Sequence, residues 1–565
     1  MIKKKRLGDI LVEVGLITKE ELNKALDKQR GSGEKRLGQV LKDMGLVTED
    51  QVMGALEHQL GIPQVDLKKF IIDTDIVKLI PKALAERHMA IPIRQKNDIL
   101  TVAMEDPLDV LAIDDIRLKT DYEVVPVIAS KEEIRYAIDQ YFSNEKMINE
   151  FIKDVNATKD TDGQDIEVDK LQEMVEEAPV VKLVNNIILE GIELRASDIH
   201  IEPQEAEVRI RYRIDGILHN EMTVPKHTHS AFVSRIKIMA DMDIAERRIP
   251  QDGRIQMIVK DKEVDLRVSI LPTVKGEKVV IRILDKSNLM LDVDELGFLE
   301  EHKKQFKEMI HSPHGILLIT GPTGSGKTTT LYSALSSLDT DSENIITVED
   351  PVEYRLDGIN QVQTNPKAGL TFASGLRSIL RQDPNIVMVG EIRDKETAKI
   401  AINAALTGHL VLSTLHTNEA SGALTRLIDM GIEPFLVASS VIGVIAQRLV
   451  RKICDECISE EENILVDSRL EEYLGNGRDS ITLKHGSGCR ECNETGYRGR
   501  TAIHEMLKIN DKVKRLIVNK ASAADIEEAA KADGMITLET CGLEKANQGI
   551  TTLEEVMRVT KVQVD

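Results

Sequence analysis

The chain has 565 residues, of which 42% are hydrophobic and 30% charged, so it is too long for one core and we expect several globular domains. With 74 Lys and Arg against 95 Asp and Glu, its net charge of −21 disfavours broad electrostatic binding to nucleic acid or anionic lipid. Asp9 and Glu13 interrupt any apolar signal-peptide core, and the most apolar stretch, FLVASSVIGVIAQRLV, is too short and too polar to cross a bilayer. These features predict a cytoplasmic protein.

The chain opens with a tandem repeat, RLGDILVEVGLITKEELNKALDKQ, which starts again thirty residues later as RLGQVLKDMGLVTEDQVMGALEHQ. Each copy predicts a short apolar helix, a break at Gly15 or Gly45, and a second helix. Capping boxes mark the start of the second helices, at Thr18 with Glu21 and at Thr48 with Gln51. Because two copies are too few for a free-standing solenoid, we expect them to pack on each other and on the residues that follow.

Residues 62–140 alternate short apolar strands, ILTVAM and YEVVPVIA, with helical runs. This pattern completes a first, mostly helical α/β domain over residues 1–143. The next segment, 144–177, is polar and acidic and has few large apolar residues, so we predict a flexible linker.

A second α/β domain is predicted over residues 178–290, beginning with an amphipathic helix. The alternation in VRIRYRIDG indicates a half-buried strand whose two faces are Val208, Ile210, Tyr212 and Ile214 on one side and Arg209, Arg211 and Arg213 on the other. The arginine face is either solvated or a positively lined domain interface. Asp198, His200 and Glu202 also share one strand face, but their spacing matches no specific metal-ligand signature.

The segment GILLITGPTGSGKTTTL contains a phosphate-binding loop in its required strand-loop-helix context. Backbone N–H groups of such a loop can close around phosphate oxygens, Lys327 can neutralise β and γ charge, and the Thr328 hydroxyl can bind Mg²⁺. The predicted ATP contacts are Gly321, Pro322, Thr323, Gly324, Ser325, Gly326, Lys327, Thr328 and Thr329, together with Glu349 and Asp350.

Hydrolysis also needs carboxylates, and two further apolar strands end in them. The segment NIITVEDPVEY supplies Glu349, Asp350 and Glu353, and NIVMVGEIRD supplies Glu391. Acids at the ends of buried strands beside a phosphate loop point into the ligand crevice of an open α/β sheet, so we predict that they act at the nucleotide. The alternative is that they are ordinary loop acids that cap helices.

A third strand, HLVLSTLHTN, is flanked by His409 and His416, which are seven residues apart and therefore face opposite sides of a regular strand. His416 lies at the strand end beside Thr414 and Thr417. We predict that His416 senses the nucleotide and that His409 is structural.

Four of the five cysteines form two CxxC pairs, Cys454 with Cys457 and Cys489 with Cys492, and 31 residues separate the pairs. Four thiolates in two such knuckles predict a closed tetrahedral Zn²⁺ site. The spacer is longer than in common zinc ribbons, and a redox pair is the alternative. Cys541 stands alone.

In this order, the phosphate loop, EDPVEY, VGEIRD and GHLVLSTLHTN resemble the secretion ATPases that power type II secretion and type IV pilus assembly. ASDIHIEP, IAERRIPQDGR and LRVSILPTVKGEKVVIRILDK extend the match from Ala178 essentially to the C-terminus. The resemblance implies a homohexamer, with a PAS-like domain at 178–290, a RecA-like P-loop ATPase core at 291–452, the tetracysteine zinc subdomain at 453–496 and a C-terminal helical subdomain at 497–565. The zinc subdomain resembles one found in secretion and pilus-extension members and usually absent from retraction motors, which favours an assembly motor.

The resemblance also implies roles for individual residues. Glu353 would be the general base that polarises the attacking water, and Glu391 would act at the magnesium ion. Four arginines resemble those that complete the family's site, namely Arg267, Arg282, Arg377 and Arg381. Cations are needed there because charge spreads over the γ-phosphoryl oxygens, although an arginine in an acidic protein is often a surface ion pair.

The tandem repeat resembles the N-terminal domain of a subset of these ATPases that binds cyclic di-GMP. The matching positions are Arg6, Leu7, Gly8, Gly15 and Gln29 in the first copy and Arg36, Leu37, Gly38, Gly45 and Gln59 in the second. Arginine can stack on or fork to a guanine and glutamine can bond a base edge, so two copies suit a two-fold-symmetric ligand. The alternative is a duplicated docking module.

The leading hypothesis is therefore a cytoplasmic ATPase, peripherally associated with the inner membrane, that works on an inner-membrane platform protein to assemble type IV pili or pseudopili. Its other expected partners are cytoplasmic-ring or secretion-complex proteins of the same machine. Its cofactors would be ATP, Mg²⁺ and Zn²⁺, with cyclic di-GMP as regulator. A strictly type II secretion motor is the second hypothesis. A RecA-like nucleic-acid translocase or a nucleotide-regulated scaffold is the third, and the net charge argues against nucleic acid as a partner.

Overall fold

The computed structural model describes residues 7–32, 37–48, 51, 54–55, 57, 61–67, 70–142, 178–259, 262–285, 292–465 and 480–560. The chain divides into two compact units, residues 1–287 and 288–565. The predicted linker at 144–177 lies outside the described residues, and the predicted domain boundaries stay predictions.

The tandem repeat forms helices at Leu7–Glu13, Lys19–Ser32 and Leu37–Asp43. Apolar residues thirty positions apart are buried in one shared cluster, namely Ile10 and Val40, Leu11 and Leu41, Ile17 and Val47, and Ala25 and Ala55. The two copies therefore pack on each other, as predicted. Both capping boxes are confirmed, since the N–H of Thr18 donates to Glu21 over 2.7 Å and that of Thr48 to Gln51 over 2.9 Å.

A three-stranded sheet follows the repeat. After the short strand β1 (Phe70–Ile71), the sheet contains β2 (Ala90–Lys96), β3 (Ile99–Met104) and β4 (Glu123–Ile128) in that order, with β2 antiparallel and β4 parallel to β3. The accompanying helices are Thr74–Val77, Lys82–His88, Val110–Thr120 and Lys131–Phe142. The predicted strands ILTVAM and YEVVPVIA are confirmed as β3 and β4.

A second sheet of the first unit has seven strands in the order β1-β8-β9-β10-β5-β6-β7. The added strands are β5 (Asp198–Pro203), β6 (Glu207–Ile214), β7 (Ile217–Pro225), β8 (Gln251–Val259), β9 (Lys262–Thr273) and β10 (Gly276–Asp285). β1 is parallel to β8 and the other pairs are antiparallel. Helices Ala178–Glu193 and His229–Met239 share an apolar core with this sheet, in which Val208, Ile210 and Tyr212 of β6 are fully buried.

The second unit is built on a sheet in the order β13-β12-β14-β15-β11-β16-β19. Its strands are β11 (Gly315–Thr320), β12 (Ile345–Glu349), β13 (Asn360–Gln363), β14 (Ile386–Val389), β15 (Leu410–Leu415), β16 (Val441–Ile453) and β19 (Tyr497–Lys508). All neighbours are parallel except β19, which is antiparallel to β16. The carboxyl ends of β11, β12, β14 and β15 therefore meet at one edge, where open α/β sheets bind ligands.

Helices on this sheet are Glu300–Ile310, Lys327–Ser336, Phe372–Ile379, Lys395–Leu406, Ala420–Asp429 and Pro434–Ser440. The apolar stretch FLVASSVIGVIAQRLV is the last of these helices and the start of β16. Two short strands, β17 (Ile458–Leu465) and β18 (Ser480–Gly486), pair antiparallel near the cysteines. Helices Asp511–Val518, Ala523–Ala532, Leu538–Asn547 and Leu553–Thr560 complete the unit. None of the helices in the described ranges is long and apolar enough to span a membrane.

A buried lysine ties one of the C-terminal helices to the sheet of the second unit. The Lys545 side chain is 2% exposed, and its Nζ donates to the carbonyl oxygen of Ala502 over 2.5 Å, to the Thr501 hydroxyl over 3.3 Å and to the carbonyl oxygen of Gly297. Burial lowers the pKa of Lys545 to about 8. Among the described residues, the ammonium is therefore held by two carbonyl oxygens and a hydroxyl.

Replacing this lysine by Lys545→Met is expected to lower the free energy of unfolding at pH 7 by about 2 kcal/mol, because buried oxygens lose their donor. Between pH 8 and 10.5 the unfolded chain binds more protons at Lys545 than the folded chain does, so this group adds stability as pH rises. The stability gap between wild type and variant should therefore widen over that interval, as measured by thermal unfolding. Lys508→Met, at an exposed lysine, is the matched control, and an equal loss in both variants would contradict the argument.

Candidate nucleotide site and cysteine cluster

The predicted phosphate loop joins β11 to the helix Lys327–Ser336. Gly321, Gly324 and Gly326 have φ values of 147°, 80° and 87°, which side chains rarely adopt. A Cβ on Gly321 would also lie 2.5 Å from the carbonyl oxygen of Gln447. The shape of the loop therefore depends on glycine at these positions.

Lys327 folds back over the loop. Its Nζ donates to the carbonyl oxygens of Gly321 over 2.8 Å and Pro322 over 3.0 Å. Burial lowers the pKa of Lys327, although the nearby carboxylate of Glu391 acts in the opposite direction. The Glu391 carboxylate therefore lies close enough to Lys327 to influence its pKa.

Glu349, at the end of β12, is 3% exposed and its carboxylate is held by three donors. These are the Tyr332 hydroxyl, the Thr347 hydroxyl at 2.5 Å and Gln361 Nε2 at 3.2 Å. Burial, and then the bond to Glu349, raises the pKa of Tyr332. Because Tyr332 belongs to the helix that starts with the phosphate loop, Glu349 joins that helix to β12.

Asp350 and Glu353 follow Glu349 along the EDPVEY segment. The backbone N–H of Glu353 donates to the Tyr332 hydroxyl over 3.3 Å, and the Tyr354 ring packs edge-on against Tyr332 at 4.4 Å between centroids. The segment is therefore anchored to the phosphate-loop helix by the aromatic pair.

Glu391 and His416 lie together at the ends of β14 and β15. His416 Nε2 is 3.1 Å from Glu391 Oε2, and Arg393 forms an ion pair with the same carboxylate, which is 13% exposed. Sequence reasoning did not single out Arg393, although it lies two residues after Glu391 in the quoted motif. His409 lies at the opposite end of β15, where its Nδ1 is 2.9 Å from the carbonyl oxygen of Ala404 at the end of a helix.

The loop after His416 is bonded to three strands in succession. The Thr417 N–H donates to the Thr320 hydroxyl over 2.9 Å, Arg448 Nη2 donates to Asn418 Oδ1 over 3.0 Å, and the Ala420 N–H donates to Glu505 over 3.0 Å. Burial lowers the pKa of Arg448 and raises that of Glu505. Neither residue was predicted, because each is distant in sequence from the loop it contacts.

The four predicted arginines lie in two pairs of neighbouring positions in this structure. Arg377 Nη1 donates to Glu396 over 2.6 Å, and Arg381 Nη1 donates to the carbonyl oxygen of Arg377 over 2.8 Å, on an exposed face of the second unit. Arg267 and Arg282 are paired opposite each other on β9 and β10 of the first unit. Neither of these two hydrogen bonds of Arg377 and Arg381 involves the phosphate loop.

Two carboxylates of β5 pair with basic side chains of neighbouring strands. The pairs are Glu202 with Arg209, Arg211 and Lys278, and Asp198 with Arg213 and Arg282. Burial opposes the ionisation of Glu202, but hydrogen bonds from its three cationic partners lower its pKa to about 2. The half-buried arginine face of β6 is therefore partly neutralised. Within the described ranges, the group of metal-ligating residues whose ligand atoms converge is the cysteine set.

The four cysteines Cys454, Cys457, Cys489 and Cys492 meet just beyond the end of β16. Their Sγ atoms all lie within 4.8 Å of one another, with separations of 3.7 Å, 3.8 Å and 3.9 Å for three of the pairs. A disulfide needs about 2.05 Å, whereas four thiolates each about 2.3 Å from a tetrahedral zinc ion lie about 3.8 Å apart. The backbone N–H groups of Cys489 and Gly496 also donate to Cys492 Sγ, which favours a thiolate. The cluster therefore fits Zn²⁺.

The predicted regulatory positions are only partly described. Arg6, Arg36 and Gln59 lie outside the described residues. Gly15 and Gly45 both have positive φ values, 79° and 68°, in open surroundings. A Cβ on Gly8 would lie 2.5 Å from Leu22, so this glycine permits close packing of the two helices of its copy.

Comparison with known proteins gives two family matches. Residues 173–558 match the model of the type II/IV secretion system protein, and residues 60–148 match that of the MshEN domain. The second match begins at the end of the tandem repeat.

Individual relatives cover most of the chain. The type IV pilus assembly ATPase PilB of Myxococcus xanthus is 48% identical over 563 residues, which are 98% of each chain. The type II secretion system protein E of Xanthomonas campestris is 46% identical over 480 residues, covering 85% of this chain and 84% of its own. The ATPase DotB of Yersinia pseudotuberculosis, a solved structure with 21% identity and a TM-score of 0.51, covers 67% of this chain and 93% of its own and shows the fold alone.

Proposed function

The chain belongs to the type II/IV secretion system protein family and is an ATPase, and we propose that it is a hexameric motor that assembles type IV pili or type II secretion pseudopili. The predicted family is confirmed. So is the multidomain α/β fold, with a P-loop ATPase domain and an N-terminal MshEN domain.

One observation favours pili over secretion within this proposal. The pilus assembly ATPase of Myxococcus xanthus aligns over 98% of both chains, whereas the type II protein of Xanthomonas campestris aligns over 85% of this one. The longer match includes the N-terminal region, which would adapt the motor to its machine. A strictly type II secretion motor is the second candidate, supported by the 46% identity of that relative.

As a motor, the chain would act in the cytoplasm and reach the inner membrane through partners, of which the platform protein is the one we propose. A net charge of −21 disfavours the alternative of a nucleic-acid translocase. DNA-stimulated ATP hydrolysis would instead support that alternative.

At the nucleotide site, we propose that the backbone N–H groups of residue 321 and residues 323–329 surround the phosphates of ATP and that Lys327 neutralises their charge. The Thr328 hydroxyl, with Glu391 nearby, would hold Mg²⁺, which supplies further charge neutralisation when bound. Glu353 would polarise the attacking water, and the contact of its backbone with Tyr332 supports a fixed position relative to the loop. His416 would sense whether the γ-phosphate is present, and the loop that follows His416 would change position in response.

The arginines would complete the site by meeting charge on the γ-phosphoryl oxygens. Arg267 and Arg282 lie side by side on one sheet, which supports a shared role. Arg377 in the helix Phe372–Ile379 and Arg381 just beyond its end are both exposed, so either could be supplied to another copy of the chain in a hexamer.

The N-terminal repeat would bind cyclic di-GMP as regulator, a proposal supported by the recurrence of arginine and glutamine in its two copies. The MshEN domain match at residues 60–148 directly follows the repeat. Calorimetry with the full chain should give saturable binding, and Arg6→Ala combined with Arg36→Ala should weaken it at least about tenfold through loss of charge-assisted bonds. Lys19→Ala, an exposed residue between the motif positions, is the control. If the wild type does not bind cyclic di-GMP, the repeat is instead interpreted as a duplicated docking module.

The motor proposal is tested by replacing the chain in its own cell with the Lys327→Ala variant. We expect surface pili to disappear from electron micrographs while secretion of type II substrates into the medium continues. Lost secretion with normal pili would assign the chain to type II secretion. If both continue, the proposal is wrong.

A further inference from the structure

Gln447 of β16 lies beneath the phosphate loop. β16 is parallel to β11, with Ala446 in register with Thr320, so Gln447 comes one residue later, beside the first glycine of the loop. The Gln447 side chain is 2% exposed. A buried amide at this point needs partners for both of its ends.

Both partners belong to the phosphate loop and its helix. Gln447 Nε2 donates to the carbonyl oxygen of Ser325 over 2.8 Å, and its Oε1 accepts from the Thr330 hydroxyl over 2.8 Å. A Cβ on Gly326 would lie 2.8 Å from the same Nε2. The Gln447 amide therefore holds the Ser325–Gly326 peptide in place from the side of β16.

This contact has a directional effect. The C=O and N–H groups of a trans peptide unit point in opposite directions. Because the Ser325 carbonyl is turned toward Gln447, the N–H of Gly326 in the same peptide unit points away from Gln447. In a phosphate-binding loop, N–H groups freed from the neighbouring strand in this way are the ones that bind the anion.

We propose that Gln447 is a positioning residue that keeps the Gly326 N–H facing the phosphates of ATP. The proposal rests on the assignment of residues 321–329 as the nucleotide loop. Gln447 acts through the Ser325–Gly326 peptide and not by touching the nucleotide. Its contribution is therefore to ATP affinity.

The test is Gln447→Glu in the full chain. A carboxylate of the same shape can still accept from Thr330 but repels the Ser325 carbonyl, so we expect Mg·ATP affinity at pH 8 to fall at least about tenfold. Once protonated, the glutamic acid can donate to Ser325 again, and burial raises the pH at which that occurs. The affinity gap from wild type should therefore narrow at pH 6. Thr330→Val should weaken affinity in the same direction, and Gln305→Glu, on helix Glu300–Ile310, is the control that should not.

Calorimetric titration with Mg·ATP and thermal unfolding are measured on each variant. A Gln447→Glu affinity within twofold of wild type at pH 8 would overturn the proposal. The proposal would also be overturned if the difference in affinity between wild type and variant were the same at pH 6 and pH 8 while the unfolding temperature of the variant fell. That result would show a structural role alone. If Lys327→Ala also binds ATP normally, the nucleotide-loop assignment itself is wrong, whereas normal binding by the Gln447→Glu variant alone refutes the role of Gln447.

Discussion

Replacing Lys327 with alanine is expected to reduce the ATP turnover of the full chain at least about a hundredfold. The Lys327 ammonium is the cation that the structure places on the loop itself, within 3.0 Å of two loop carbonyls. In its absence the γ-phosphoryl charge of an ATP bound at this loop would lose that counter-charge. The measurement is steady-state phosphate release with saturating Mg·ATP.

A matched control separates loss of chemistry from loss of fold. Lys367→Ala removes an exposed lysine in the short turn Pro366–Ala368 of the same unit, and we expect it to keep wild-type turnover. Thermal unfolding of the Lys327→Ala chain should match the wild type closely, because the two hydrogen bonds that Lys327 Nζ donates in the described part of the chain go to loop carbonyls. If Lys327→Ala turned over ATP at the normal rate, the nucleotide site would have to be sought elsewhere.

Replacing Cys454 with serine is expected to remove bound zinc and to lower the temperature of unfolding by several degrees or more. Wild-type protein should contain one zinc ion per chain by elemental analysis, since four Sγ atoms lie within 4.8 Å of one another. Three remaining thiols cannot close the tetrahedron, and zinc binding contributes directly to the folding of such small elements. Loss of the ion should expose the β17–β18 pair and the turn around Cys489 to proteolysis.

The fifth cysteine provides the control for this experiment. Cys541 is buried in the helix Leu538–Asn547, away from the cluster, and Cys541→Ala should leave the zinc content at one per chain. A wild-type protein without zinc, together with a fully stable Cys454→Ser variant, would refute the metal assignment. Recovery of a disulfide in place of zinc would support the redox alternative.

The sequence identified the parts of the site that are contiguous along the chain. The phosphate loop needs a strand, a run of glycines and a helix in immediate succession, and each knuckle of the cysteine cluster spans four residues. The capping boxes at Thr18 and Thr48 are local for the same reason, because their partners lie three residues away. Pattern reasoning is strong wherever the physical interaction is short-range in sequence.

The parts of the site that sequence patterns did not predict depend on the order of strands in the sheet. Gln447 reaches Ser325 across 122 positions, and Glu505 reaches Ala420 across 85. These contacts exist because β16 lies beside β11 and β19 beside β16, an order that no spacing in the sequence reveals. Gln447 also lies within the apolar stretch FLVASSVIGVIAQRLV, whose composition gives no sign of a polar role for this residue.

The length of β16 has a mechanical consequence. This strand has 13 residues, passes the phosphate loop at Gln447 and ends one residue before Cys454. At about 3.3 Å per residue, the loop and the cysteine knuckles are the two ends of a span of about 23 Å. Pairing with β19 stabilises this segment of β16. The register of that pairing shifts between Arg451 and Ile453, so the segment can bend there. A force applied at the cysteine knuckles would therefore reach the residue beneath the nucleotide loop along one continuous strand, with the register shift lying between the two.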